Sequence, residues 1–350
     1  MFSIATTVSR RHGGFNMRLT SSFFVLAIVM SACSPSSSAP ASPAAPHAGQ
    51  LSWVAHLDPM KGQLPEGLTL DASGEHAFLG LAPTGQILRV SLADGAVTTF
   101  GNVPPPPSGK GFLLGILQRP GGELFAGVTS SSADYQAGVY KLSSSGGVGV
   151  LYGKHPDLVF PNGLAFGSDG VLFVTDSLTG AIFRIAPDGT TTKWASEPLF
   201  VGDMHAPCAN GAAFPIGVNG IVVTKDAIYT VHTDKGELLQ TPINADGSAG
   251  PSTIVSGPDC TTLGGADGLT MDDDGSFYVA ANAINSITRV TRDGKATVLA
   301  SKDKFDFPAS VSVGRASGGK ALYVTNAALK SAQAPGGAPA PGLLVLPLVQ

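Results

Sequence analysis

Of the acids and amides that stand directly before glycine in this chain, two carboxylates and two carboxamides head apolar runs, as Glu66-Gly67, Asn162-Gly163, Asn219-Gly220 and Asp267-Gly268. Each pair opens a short apolar run: PEGLTLD, PNGLAF, VNGIVV and ADGLTM. Glu, Asn and Asp are poor strand formers, so packing does not account for them at the head of such runs. Gathered at one point, their oxygens suit a hard divalent cation, which takes roughly six to eight oxygen ligands from carboxylates, amide carbonyls and water. Two carboxylates would also balance its charge. No Cys or His stands at these points, which disfavours a tetrahedral zinc site. The plainer alternatives are a polar, water-lined channel, or Asn and Asp that only cap loops.

What would bring these four together is a repeat. The unit PNGLAFGSDGVLFVTDSLTGAIFRIAPDG, Pro161 to Gly189, alternates with the two-residue period of strands and turns at Asp169-Gly170 and Asp188-Gly189. Five other segments align with it. The opening positions are Glu66, Leu114, Asn162, Asn219, Asp267 and Ser310, spaced 48, 48, 57, 48 and 43 residues apart. That period is in the range of propeller blades. The expectation is an all-β, six-bladed β-propeller with four-stranded antiparallel blades. Its innermost strands line the axis, so equivalent residues meet there. Glycine follows five of the six opening residues and permits close backbone approach. Leu51 to Leu57 and Gly342 to Leu348 are both strand-like and are expected to share one blade, closing the ring.

Composition agrees. Hydrophobic residues make up 43% of the 350-residue chain, charged residues only 13%, and Gly (45) and Pro (26) are abundant, which suits a turn-rich all-β fold. A net charge of −4 offers no basic face for nucleic acid. The first 50 residues read differently. Phe23 to Met30 is a short apolar run after Arg18, too short to span a bilayer but sized for the core of a secretory signal. Ser31, Ala32 and Cys33 follow, and this resembles the bacterial lipobox. The expected division is a lipoprotein signal over 1–33 with lipidation at Cys33, a Ser/Ala/Pro-rich tether over 34–50, and the propeller over 51–350. The protein is then exported to the cell envelope, touching the membrane only through its lipidated N-terminus. In such an oxidising compartment Cys208 and Cys260 are a candidate disulfide, the alternative being two separate buried thiols.

The runs quoted above resemble the regucalcin/gluconolactonase family of six-bladed propellers over nearly all of Leu51 to Gln350. That resemblance implies a divalent cation on the axis, Ca²⁺ first and Zn²⁺, Mn²⁺ or Mg²⁺ as alternatives. Glu66, Asn162, Asn219 and Asp267 would be its ligands, with the second blade, at Leu114, skipped. It implies a metal-dependent hydrolase of a small lactone or related ester, with Asp267 as both ligand and base or nucleophile, working as a monomer. The chain departs from the family at Gly163, at Phe160-Pro161 where sugar-lactone hydrolases carry an arginine, and at Leu68-Thr69. These changes keep the four oxygen-bearing positions and loosen the link to a sugar acid. The competing reading is a non-catalytic envelope propeller that binds a ligand or protein, with structural Ca²⁺. A metal-free, strictosidine-synthase-like propeller fits less well with the intact set of four.

Other polar residues are expected to be structural. His205 lies in the long insertion before Asn219 and reads as a surface-loop histidine. His232 occupies the place of Asp176 in its own repeat. Asn282 and Asn326, near that same point, read as turn formers. No Gly-x-Ser-x-Gly elbow, phosphate loop or dinucleotide fingerprint is present.

Overall fold

Strands form where the sequence alternates and stop where glycine turns the chain. In the clearest unit, Pro161–Phe166 pairs antiparallel with Leu172–Asp176, then Ala181–Ile185, then Thr191–Ser196. The first turn closes because Gly170 takes a φ of +79°, which side-chain-bearing residues resist, and because Asp169 accepts the Val171 N–H at 3.1 Å. The computed structural model describes residues 47–209 and 213–349, and within them this unit recurs as six blades. The expected signal, Cys33 and the tether as far as residue 46 lie outside the described residues; the tether's last residues, 47–50, are described, and His47–Ala48 among them pairs with the final strand.

Blades three, four and five are separate four-stranded sheets, opening with Pro161–Phe166, Val218–Val223 and Ala266–Met271. Blade six holds Pro308–Ala316, Gly319–Asn326 and Gly342–Val349, and the ring closes when Ser52–His56 pairs with the last of these. Ser52 stands opposite Val345 and His56 opposite Gly342, and a two-residue strand at His47–Ala48 pairs further along, opposite Val349 and Leu348. The two ends of the ring are thus knit into one sheet. Blades one and two, opening with Pro65–Leu70 and Gly111–Gln118, are joined at their outer strands. Val97–Asn102 runs parallel to Gly146–Gly153, with Gly101 opposite Gly147. A Cβ on Gly101 would lie 2.3 Å from the Gly147 carbonyl oxygen, so only glycine allows the junction.

Apolar side chains fill the wedges between blades. Phe125, Phe183, Phe277 and Tyr278 are fully buried, each large ring contributing roughly 1.5–3 kcal/mol by leaving water. The glycines after the opening residues show why the axis needs them. A Cβ on Gly115 would lie 2.0 Å from the Asn162 carbonyl oxygen, one on Gly163 2.5 Å from that of Asn219, and one on Gly220 2.4 Å from that of Asp267. Each blade makes room at its glycine for the backbone of the next ligand-type residue.

The insertion ahead of blade four is held at its root. Asp234 accepts from the backbone N–H groups of Asp203 (3.0 Å) and Ile216 (2.7 Å), and a disulfide joins Cys208 to Cys260 with Cα atoms 4.9 Å apart. Among the described residues no helix is long and apolar enough to cross a membrane.

Candidate metal centre

Glu66, Asn162, Asn219 and Asp267 stand second in the first strands of blades one, three, four and five, and all four line one cavity of about 70 Å³ on the axis. The same cavity is bounded by the innermost strands of blades two and six, through Gly115, Ile116, Ser310 and Val311. The four polar residues are only 5–6% exposed. No Lys, Arg or His lines the cavity among the described residues, so no positive side chain offsets the two acids.

A second layer fixes how the four present their oxygens. The Ser177 hydroxyl donates to the Val218 carbonyl (2.8 Å), and the Thr233 hydroxyl donates to the Ala266 carbonyl (2.7 Å), each bridging to the next blade. A hydroxyl has one proton to give. Ser177 and Thr233 can therefore only accept from the asparagines beside them. Asn162 Nδ2 donates to Ser177 Oγ (3.2 Å), and Asn219 Nδ2 donates to Thr233 Oγ1 (3.1 Å). The amide nitrogens face these hydroxyls, which leaves the carbonyl oxygens for the axis. In blade five the equivalent position is Asn282, whose Nδ2 donates to Asp267 Oδ2 at 2.9 Å. In blade one that position is Ala82, which offers nothing, and Glu66 Oε2 is buried without a hydrogen-bond partner.

These surroundings show in the acids' titration. Burial, then repulsion from Asp267, holds the Glu66 carboxyl well above its ordinary value. Burial pushes Asp267 up to about 7, with the Asn282 and Asn219 amides pulling the other way. Two crowded acids, a buried Glu66 oxygen with no donor and two amide side chains with no cation beside them make an environment that an oxygen-seeking cation would satisfy. No cluster of three His, Cys, Asp or Glu side chains occurs among the described residues, so any such centre depends on the amides.

The residues set aside as structural divide. His232 is buried. Its Nε2 is 3.0 Å from the Val201 carbonyl, its Nδ1 accepts from Lys235 N at 3.3 Å, and burial pushes the imidazole down to about 4. Asn326 ties loops, accepting from Asp306 N and donating to the Lys304 and Ala340 carbonyls. His205 is exposed, with its N–H on Asp203 Oδ1. Asn282 is the correction: it does open a 3₁₀ turn, Asn282–Ile284, but its side chain also reaches back to orient Asp267. Ser177, Thr233 and Asn282 form one repeat-equivalent set, which aligning the residue one past each second strand would have revealed.

Fold and site together define a six-bladed β-propeller with a buried polar centre of acceptors on its axis. Solved propeller structures superpose on this chain, among them a gluconolactonase from Xanthomonas campestris (TM-score 0.57, 16% identity, 87% of this chain and 95% of that one). Others are a calcium-binding regucalcin from Agrobacterium tumefaciens (0.55, 17%, 81% and 90%) and a virginiamycin B lyase from Staphylococcus aureus (0.53, 17%, 79% and 82%). At such identities they show the shared fold. By sequence, the virginiamycin B lyase of Nocardia farcinica (strain IFM 10152) is 28% identical over 233 residues, covering 67% of this chain and 68% of that protein. No family model matches.

Proposed function

We propose that this protein opens the ester bond of a lactone or related small ester, with a divalent cation, Ca²⁺ first, held by Glu66, Asn162, Asn219 and Asp267. The supporting observation is the commitment of the Ser177 and Thr233 protons to neighbouring carbonyls, which fixes the Asn162 and Asn219 amides beside two acids that have no cationic side chain with them. When bound, the cation supplies Lewis acidity to an ester carbonyl. The chain's own contribution is orientation and proton handling. Asn282 holds one oxygen of Asp267, which fixes the carboxylate that would both hold the cation and accept a proton. The walls of Leu68, Ile116, Leu164, Ile221, Leu269 and Val311 limit water around these groups.

The similarity to virginiamycin B lyase favours a second reading, in which the ester is cleaved without water. Product mass separates the two: hydrolysis adds one water, elimination adds nothing. Export and anchoring through Cys33 belong to the same proposal, supported by the short apolar run and small residues before it. Loss of membrane association in a Cys33→Ser chain tests that part.

The deciding experiment is calorimetric Ca²⁺ titration of the wild type and Asp267→Ala, followed by a lactone panel with and without chelator. Saturable binding lost in the variant, with chelator-sensitive turnover, supports the proposal. Binding without turnover moves the protein to an envelope ligand-binding role with structural Ca²⁺. Full activity in Asp267→Ala would remove the site from consideration.

A further inference from the structure

A second cavity, of about 310 Å³, lies between blades two and three at the end of the ring where the axial residues stand. Its walls include Phe112, Val159, Phe160, Leu178 and Phe214, and Lys110 is the one charged residue lining it. Phe112 and Leu178 are each 39% exposed and Phe214 36%. Three large apolar side chains held half in water and converging on one cleft mark a binding surface rather than a packing remnant. Phe160 and Phe214 face each other with ring centroids 5.4 Å apart.

The cleft is continuous with the axial site through the chain itself. Phe160 is two residues before Asn162, a Cα separation of at most about 7 Å. Leu178 follows Ser177, which accepts the Asn162 amide. One buried carboxylate sets both walls: Asp176 accepts from the N–H groups of Val159 (2.6 Å), Phe160 (2.7 Å), Leu178 (3.1 Å) and Thr179 (2.8 Å). The third wall is tied on by Gly217 N, which donates to the Ser177 carbonyl at 2.8 Å, three residues after Phe214. The apolar cleft is therefore preformed and lies within one small molecule's length of the axis.

We propose that this cleft receives an aromatic or comparably bulky apolar group of the same molecule whose ester reaches the axis, so that the substrates are apolar-substituted lactones or esters rather than sugar lactones. This rests on reading the axis as an ester-opening site. The occupant follows from the walls: the aromatic and branched side chains cover an aryl ring well, while the Thr129 and Ser131 hydroxyls already donate to the Val159 and Lys110 carbonyls, which leaves Ser130 and Lys110 to meet the hydroxyls of a sugar.

The test uses the purified full chain and three probes: dihydrocoumarin as an aromatic lactone, δ-gluconolactone as a polar one, and 3,4-dihydro-2-quinolone, the lactam counterpart of the first, as a ligand that is not turned over. In Leu178→Ser/Phe214→Ser, both positions exposed enough to spare the fold, lactam binding by calorimetry should weaken about tenfold. The KM for dihydrocoumarin should rise to match while that for δ-gluconolactone stays put. Phe112→Ser, from a different strand, should reproduce the direction. Lactam binding that is absent in the wild type, or equal in wild type and variants, overturns the cleft. If the wild type cleaves dihydrocoumarin with an unchanged KM in the variants, the cleft fails and the ester-opening reading stands. If no lactone is cleaved with any divalent cation, that reading fails, and lactam binding still decides the cleft.

Discussion

Asp176 and Asp267 are both buried acids in the middle blades, and their surroundings are opposite. Asp176 ends a second strand and takes four backbone N–H groups, two from the segment before Asn162 and two from the turn after Ser177. Asp267 opens a first strand and faces Glu66 across the axis, with the Asn282 amide on one oxygen. One carboxylate is saturated by fixed dipoles and needs nothing further. The other is left short of positive charge and is costly until something supplies it. A buried acid in this fold is thus a structural part or a receiving site according to its donors, and burial alone does not tell them apart.

Removing the saturated acid should have the largest effect. Asp176→Ala leaves four N–H groups without an acceptor and should cost at least about 3 kcal/mol in denaturant unfolding. Cation affinity should fall with it, because the segments carrying Asn162 and Ser177 lose their common anchor. A variant as stable as the wild type would show that these bonds are replaceable by water.

The orienting layer should matter less to the fold and more to the axis. Ser177→Ala frees the Asn162 amide to rotate and should weaken Ca²⁺ binding about tenfold or more, the size of effect seen when outer-shell partners of metal ligands are removed. Stability should drop by only about 1 kcal/mol, for the lost bond to Val218. Thr233→Ala should act likewise through Asn219. Equal losses of stability and affinity would mean that the hydroxyls serve the blade junction alone.

The smallest effect is on pH dependence. Asp267 is pushed up to about 7 in the folded, metal-free protein, so the stability it confers in its protonated form is complete below about pH 4 and is lost as pH rises through 7. Glu66, shifted in the same direction, adds to this. His232, pushed down to about 4, has the opposite sign, with stability lost as pH falls from about 6.5 toward 4. In the window from pH 6.5 to 8 the acids outweigh the histidine. Metal-free protein should lose about 1 kcal/mol across it, a few degrees in Tm at most, and saturating Ca²⁺ or Asp267→Asn should flatten the trend. A flat profile in the metal-free wild type would mean that the two acids are not crowded as described.

The axial four were legible in the sequence because they break a local rule at equivalent points of a repeat: Glu, Asn, Asn and Asp head strands where apolar residues would pack better. The ring and its closure were legible for a related reason, the period of the apolar runs together with strand-like ends at Leu51 and Gly342. Ser177, Thr233 and Asn282 were not. A hydroxyl or amide just past a strand looks like any turn residue, and its role depends on which carbonyl of the next blade stands beside it. The parallel junction of blades one and two was equally hidden, since nothing in the sequence around Gly101 and Gly147 pairs one outer strand with the other. The aromatic cleft escaped because Phe112, Phe160, Leu178 and Phe214 come from a strand and separate loops whose meeting is a matter of blade order.

The shared sheet of blade six has a temporal consequence. Ser52–His56 finds its partner only when Gly342–Val349, nearly the whole chain later, is free to pair with it. Until then five blades stand as an open arc whose wedges are unsealed at both ends, and Glu66 has not been drawn opposite Asp267. Contacts spanning such separations form slowly. A nascent chain therefore carries the parts of the axial centre without the centre, and the last few residues to arrive act as the latch that brings it into being.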